Sequence, residues 1–512
     1  MTSFELRESL DTFLEVDQTV TVTKNQLTLD LIRRLCETLE KEGINYCHWK
    51  SNAALDRSAS GENDLDLLVH RPDISRFKKV LNFLGFKEAF IPNQEKIPGI
   101  NDYYGYDHQS EKFVHVHAHF RLILGSDLNK NYHIPFEKAY LASSNQGILF
   151  RTPSFDFEFV LFIIRMIIKH STWDTILGGQ GRLSGKEQQE MSWLKSGMNP
   201  EGVLEILKTH LTFLDADLFD ECTRVLHPGV SIWKRIKCGH TLQKQLKNCA
   251  RYSPVRDLYL KIRNRLKEGM DRRVFHKIPA LQLAAGGMLI VIIGGDGAGK
   301  TTSVEEITRW LGSRFEILRV HLGKPEWSVT TYLVRGILKI GTVLGLYPFS
   351  RVPPEKILKG DCEVFPGYPW LIREVCTARD RYNTYTRARQ ATSAGKLVIC
   401  DRYPLAPIKI MDGPMGAQMT KNIKKTRFMQ FLIKMEESYY RRILLPDLLV
   451  ILRVDPETAV SRKPDENPEA VRARVNAIWD LDSTYFQKRV VDANLPRAEV
   501  LSRLKELIWA QS

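Results

Sequence analysis

Gly294-Gly295-Asp296-Gly297-Ala298-Gly299-Lys300-Thr301-Thr302 decides how the C-terminal half of this chain folds. Before it, Met288 to Ile293 is an unbroken apolar run, which reads as a strand buried on both faces. After it, Val304, Ile307 and Leu311 recur at helical spacing, and Gly312 reads as the residue that stops the helix. A glycine-rich turn between a buried strand and a helix start is the setting of a Walker A phosphate loop. Glycines let backbone N–H groups curl round a phosphate chain, and the helix N-terminus adds its positive end. In such a loop Lys300 reaches the β- and γ-phosphates of ATP, and the Thr301 hydroxyl ligates Mg²⁺. The plain alternative is a strand–helix turn that binds no nucleotide.

The chain has 512 residues, room for roughly two to four domains with proper cores. An apolar content of 43% with 26% charged residues is that of a water-soluble globular protein and excludes a disordered or fibrous chain. The net charge of +14 favours anionic partners, but the basic residues are spread out and form no sustained tract. Charge alone does not choose among nucleotides, phosphorylated substrates, nucleic acid and an anionic membrane face; with the glycine-rich loop, a nucleotide or other phosphorylated small molecule is the expected partner, nucleic acid is not expected, and a homodimer is left open. The eight cysteines form no CxxC pair and no zinc-ligand spacing, which reads as free thiols in a reducing cytoplasm. The first residues, Met-Thr-Ser-Phe-Glu-Leu-Arg-Glu, lack the charged-then-apolar pattern of a secretory signal. Two apolar stretches, Phe157 to Ile168 and Ala280 to Ile293, are too short or too interrupted to span a bilayer, so no membrane span is expected.

From the N-terminus to about residue 45 the pattern is helical, with Leu31, Ile32, Leu35 and Leu39 on one face. Asp64 and Asp66 then stand two apart on an expected strand, so both carboxylates face one side. Such a pair suits Mg²⁺ bridging protein and nucleotide phosphates; a solvated strand end is the alternative. Further on, Phe113 to Leu122 reads as a strand that places His115, His117 and His119 on one face. These imidazoles could bind a metal, hydrogen-bond polar groups on that face or help hold a phosphate. Residues 151 to 275 read mostly as helices. Phe155 to His170 is a strongly apolar core helix, and the basic, amphipathic stretch 233–273 is a solvated connector face with RNA or lipid contact as the alternative.

Lys50, a small-residue loop and then Asp64-Leu65-Asp66-Leu67-Leu68-Val69 resemble the polymerase-beta type of nucleotidyltransferase. The resemblance covers about residues 30 to 150. It implies metal ions held by Asp64, Asp66 and a third acid on a later strand. This chain has Ser51 where that family has glycine, and His115 where it has the third acid.

From 288 onward strands and helices alternate, the mark of a parallel sheet. Phe315 to Leu322 reads as a strand, Trp370 to Ala394 as a helix, Lys396 to Asp401 and Pro446 to Val454 as strands, Arg489 to Asp492 as the last strand and Arg497 to Trp509 as the last helix. Asp401 ends an apolar strand, where an acid can hold magnesium through water. The loop, Val398-Ile399-Cys400-Asp401-Arg402-Tyr403, Ala378-Arg379-Asp380-Arg381, Ser461-Arg462-Lys463 and Val491-Asp492-Ala493-Asn494 together resemble the thymidylate kinase family. That resemblance implies that Arg381 and Arg402 grip the acceptor monophosphate and that Arg462, with Lys463, closes on ATP. It also puts Lys324 near the acceptor. Arginine's planar fork suits phosphate bidentately. Arg472 and Arg474 read as a solvated helix face. The stretch after Tyr403, Pro404 to Met415, departs from the family's nucleoside-reading residues.

The expected architecture is α/β. A nucleotidyltransferase-like α+β domain (1–150) and a helical extension (151–280) precede a P-loop kinase with a parallel sheet flanked by helices (281–512). The expected activity is phosphoryl transfer from ATP with Mg²⁺ to a nucleoside monophosphate, as from dTMP to dTDP. The alternatives are a nucleotidyltransferase or bifunctional enzyme acting on a sugar phosphate or other small molecule, and an ATP-gated binding module.

Overall fold

A computed structural model describes residues 28–512 apart from 93, 127–128, 174–180, 274–279, 346–366, 405–412, 422–423 and 480–487. Most of the expected acceptor stretch after Tyr403, and the helical reading of residues before 28, lie outside the described residues. The chain divides into two compact units, 1–279 and 280–512.

The first unit opens with helix α1 (Asp30–Lys41), which buries Leu31, Ile32, Leu35, Cys36 and Leu39 along one stripe. Its first turn is tied down by the Leu31 amide, which donates to Asp107 Oδ1 at 2.8 Å. Strands β1 (Tyr46–His48) and β2 (Leu65–Val69) follow, then helix α2 (Ile74–Phe83) and strands β3 (Lys87–Phe90), β4 (Ile100–Asp107) and β5 (Lys112–His119). They lie side by side in the order β1-β2-β5-β4-β3. The β2–β5 pair is parallel and the other pairs are antiparallel. One face packs on α1 and α2 through Leu35, Leu67, Phe77, Tyr103 and Val116. A hairpin of β6 (Ile123–Ser126) and β7 (Asn129–His133) leads to helix α3 (Phe155–His170). As its apolar sequence predicts, α3 is a core helix, with Phe159 to Ile164 buried without interruption. Around it pack α4 (Gly185–Gly197), α5 (Pro200–His210), α6 (Ala216–Val225) and α7 (Ile232–Gln245); α8 (Pro254–Arg273) follows. Among the described residues no helix is long and apolar enough to cross a membrane, and the described cysteines are free thiols.

The second unit is a parallel sheet of β8 (Leu289–Gly294), β9 (Ile317–His321), β10 (Leu397–Asp401), β11 (Leu448–Arg453) and β12 (Lys488–Asp492), in the order β9-β10-β8-β11-β12. Its helices are α9 (Lys300–Gly312), α10 (Val329–Val343), α11 (Tyr368–Ser393), α12 (Arg427–Arg441), α13 (Pro456–Ser461), α14 (Pro468–Trp479) and α15 (Arg497–Gln511). All six residues of β8 are buried, because it is the central strand and both its faces are covered. The chain leaves β8 toward β9, returns to β10, then crosses to β11 on the other side. The strand order therefore reverses at β8, and in open sheets of this kind ligands bind at the carboxyl ends of the strands at such a reversal. One expectation is corrected. Gly312 is the last residue of α9, with φ outside the left-handed region; the cap is Ser313 in right-handed helical conformation. No left-handed glycine is needed to close this helix, because the Ser313 amide returns to the Arg309 and Trp310 carbonyls.

Candidate functional site

The loop after β8 carries the expected glycines into left-handed backbone: Gly297 has φ 75° and Gly299 φ 79°. A Cβ on Gly297 would also lie 3.0 Å from the Ala459 carbonyl oxygen, so glycine is needed there twice over. Gly299 is the N-cap of α9, and Lys300 is its first residue. Lys300 Nζ donates to the Gly295 carbonyl at 2.7 Å and lies 3.8 Å from Asp296 Oδ1. Burial holds its ammonium below the usual lysine range; Arg402 and Lys463 push the same way, and Asp296 and Asp401 oppose them. Gly294, Gly295 and Ala298 are buried, Thr302 is half-buried and Thr301 is exposed on the first turn of α9.

Other elements reach this loop. Arg462, capping α13, donates from Nη1 to the carbonyls of Gly297 at 3.1 Å and Ala493 at 3.0 Å. Arg474 of α14 places Nε 2.8 Å from Asp296 Oδ2 and donates from Nη2 to Glu466 Oε2 at 2.6 Å. The solvated-face reading holds for Arg472, which pairs with Glu457, but is corrected for Arg474. A single helix contributes one arginine to each environment, and sequence spacing does not say which side meets the loop.

Asp401 ends β10, in register with Ile292 of β8 and His321 of β9. Arg402 follows it at φ 58°, a left-handed conformation that costs a branched or long side chain energy. Arg381 of α11 is buried; its Nε donates to the Leu322 carbonyl at 2.9 Å, one Nη to Gly323 at 3.3 Å and the other to the Tyr440 hydroxyl. It thus fastens the chain leaving β9, the segment that carries Lys324. The Lys324 side chain is exposed, while its amide donates to His321 Nδ1 at 2.9 Å. Thr301 and Asp401 offer the hard oxygen donors that Mg²⁺ takes, so the donor set fits that ion. Sequence reasoning also missed Glu436 of α12. It accepts from the Met415 and Gly416 amides, both at 2.9 Å, and burial pushes its carboxyl up to about 7.

The first unit gathers a different set. Parallel pairing sets Asp66 of β2 beside His117 of β5, and antiparallel pairing sets His117 beside Asp102 of β4. Cross-strand neighbours share a face, so these side chains form one row. His117 Nδ1 is 3.0 Å from Asp66 Oδ1, and Lys50 Nζ is 2.8 Å from the same oxygen. Burial pushes Asp66 up, but Lys50 and His117 outweigh it and hold the carboxyl well below its usual range. Asp64 lies 2.8 Å from His115 Nδ1, and Asp102 Oδ1 lies 2.9 Å from His115 Nε2. His115 also stacks on Tyr104 at 4.4 Å. Burial lowers the His115 imidazole, yet Asp102 and Asp64 raise it to about 9. A third carboxylate is therefore present, on a strand the sequence reading passed over. The alternation Asp102, Tyr104, Tyr106 was visible, but the pairing of β4 with β5 was not.

The loop bearing Lys50 has its own support. Ser51, at the family's glycine position, has φ 60°. Its amide donates to Glu190 Oε1 at 3.2 Å, which also accepts from Arg165 at 3.1 Å. Asn52 donates from Nδ2 to Glu158 Oε2 at 2.8 Å and accepts at Oδ1 against His48 Nδ1 at 2.7 Å. Glu158 is buried, which pushes its carboxyl up to about 7.

No protein-family profile matches the chain. It is 23% identical over 226 residues to the uncharacterized ATP-binding protein YghR of Escherichia coli, covering 43% of this chain and 86% of that protein. It is 24% identical over 226 residues to the uncharacterized ATP-binding protein YghS of Escherichia coli, covering 43% and 92%. It is 22% identical over 240 residues to the thymidylate kinase of Prochlorococcus marinus, covering 43% and 95%. Among solved structures, deoxyadenosine kinase from M. mycoides with bound dATP covers 43% of this chain and 99% of its own at 19% identity and a TM-score of 0.27, too low to carry an argument. None of these likenesses supports the polymerase-beta-type reading of the N-terminal unit. What the sequence likenesses support is a P-loop kinase-like region in this chain.

Proposed function

We propose that this chain transfers a phosphoryl group from ATP to a small phosphorylated acceptor, a nucleoside monophosphate such as dTMP being the first candidate. The observation that carries this reading is the convergence on one glycine-rich loop of Lys300, Arg462 and Arg474, with Asp401 and Arg402 at the end of the neighbouring strand. Phosphoryl transfer between two anions needs charge neutralisation and in-line positioning, not a covalent nucleophile. In this scheme residues 294–302 cradle the ATP phosphates, and Thr301 and Asp401 hold Mg²⁺. Lys300 and Arg462 neutralise the transferred group, while Arg402, Arg381 and Lys324 face the acceptor. Arg381 acts in part by fixing Leu322 and Gly323. The domain boundaries 1–150, 151–280 and 281–512 belong to the same proposal. Nucleotidyl transfer by the first unit would need Asp64, Asp66 and Asp102 free for hard cations. Lys50, His115 and His117 hold them instead, which favours the kinase reading.

The test is an acceptor screen with the full chain, ATP and Mg²⁺, over nucleoside monophosphates and sugar phosphates. ADP formed solely in the presence of an acceptor supports the reading and names the substrate. Pyrophosphate release would assign the activity to nucleotidyl transfer. Acceptor-independent hydrolysis, or no turnover with any acceptor, would leave an ATP-gated module and overturn the proposal.

A further inference from the structure

We propose that Asp66, His117 and His119 form a binding site for a divalent transition metal of the zinc class. One ligand atom from each of the three lies within 4.8 Å of the others. His117 Nδ1 is 3.0 Å from Asp66 Oδ1 and 3.3 Å from His119 Nε2. Bonds of 2.0–2.1 Å at a tetrahedral ion place neighbouring ligand atoms about 3.3 Å apart, so two edges of the site are already near their metal-bound length.

The three groups cannot satisfy one another by hydrogen bonds alone. His117 Nδ1 faces a carboxylate oxygen on one side and another imidazole nitrogen on the other. If it carries the proton and donates to Asp66, the proton of a neutral His119 sits on Nδ1, which is buried and has no hydrogen-bond partner among the described residues. If His119 Nε2 instead donates to it, the unprotonated His117 Nδ1 faces Asp66 Oδ1 at 3.0 Å, and Asp66 Oδ1 keeps its Lys50 donor but loses this one. A cation would accept the lone pairs of all three atoms at once. Two imidazoles with one carboxylate suit zinc, iron, nickel or copper better than Mg²⁺. The surroundings fit as well. Asp102 Oδ1 lies 3.9 Å from His117 Nε2, beyond hydrogen-bond reach while it holds His115, so it acts on this imidazole through its charge. Lys50 lies on Asp66 Oδ1, and Asp66 has a second oxygen for it when a metal takes the first. Strand register fixes the pair Asp66 and His117, and His119 lies two residues on along the same face of β5. Three protein ligands leave one tetrahedral position open for water or substrate. This inference is independent of the kinase reading, because every ligand belongs to the first unit.

The experiment strips the full chain with a chelator and titrates it with Zn²⁺ against a chromophoric competitor, and with Co²⁺ by visible absorption. The wild type is expected to take up one Zn²⁺ that Asp66→Asn and His117→Asn each weaken by more than the 10- to 100-fold that outer partners cost. The Co²⁺ complex should show the strong ligand-field bands of a low-coordinate site and lose them in both variants. Asp102→Asn should weaken Zn²⁺ less than about 10-fold, with the bands retained, because it does not hydrogen-bond His117. His119 is fully buried, so His119→Gln is scored only after circular dichroism shows a native fold; a folded variant should also lose the bands. Equal Zn²⁺ affinity in wild type, Asp66→Asn and His117→Asn would overturn the site. So would Mg²⁺ competing at Zn²⁺-like concentrations, which would mark a hard carboxylate site instead.

Discussion

In the C-terminal unit Lys300, Arg402, Arg462, Lys463 and Arg474 crowd one loop, with Asp296, Asp401 and Glu466 among them. In the N-terminal unit Asp64, Asp66 and Asp102 meet Lys50, His115 and His117 on adjacent strands. In the first arrangement Lys300 and Arg462 donate to backbone carbonyls, which a polyphosphate can replace, while Lys463 and Arg474 pair with carboxylates. The second pairs each acid with a cation or imidazole of its own chain. The two clusters thus differ in how much of their cationic charge rests on backbone oxygens rather than on carboxylates. The difference lies in what stands across the strand or loop from each charge.

The comparison breaks most sharply at Lys300. Lys300→Ala is expected to lower ATP turnover about 100- to 1000-fold with an unchanged thermal midpoint, because the ammonium acts on phosphate charge rather than on packing. Wild-type turnover in the folded variant would move the activity away from this loop.

Next in size is the pH dependence set by Glu158. Its carboxyl titrates at about 7 when buried and near the ordinary glutamate value when unfolded. Its contribution to stability is therefore fully present below about pH 4.5 and is lost as pH rises through about 7, by on the order of 3 kcal/mol. Urea midpoints across that range should fall in the wild type and flatten in Glu158→Gln. An equal slope in both would mean that the acid under the Lys50 loop is solvated.

The two left-handed residues sharpen the contrast further. Ser51→Gly and Arg402→Gly each remove a strain of about 1–2 kcal/mol and add glycine's entropy cost, for a net gain of roughly 0.5–1 kcal/mol in denaturation experiments. Arg402→Gly should also lose about 10- to 100-fold in acceptor kcat/KM, the worth of a charged phosphate contact. Ser51→Gly should leave it unchanged. Matching activity losses would show that the strain at Ser51 also serves phosphoryl transfer.

The smallest effect is expected at Asp102. It is partly exposed, so Asp102→Asn should cost under about 1 kcal/mol of stability despite its bond to His115. A larger loss in urea denaturation would mean that the self-pairing of this row is a main support of the sheet.

Much of this was legible in the chain. The apolar run before Gly294 forced a doubly buried strand, and the glycines at 297 and 299 marked left-handed turns because only glycine takes them freely. The apolar length of α3 likewise gave its burial. The register between strands was not legible, because hydrogen-bonded ladders join residues far apart in sequence. It alone brought Asp102 to His115 and His119 into the row with Asp66. Nor did helix periodicity separate Arg474, on the phosphate loop, from Arg472, on the surface. Local pattern determined which segments are strands, helices and glycine-rich turns, since it depends on the period and on backbone freedom. Tertiary structure decided which charges are paired and which remain for a ligand, since Coulomb interactions depend on distances that only the packed chain sets.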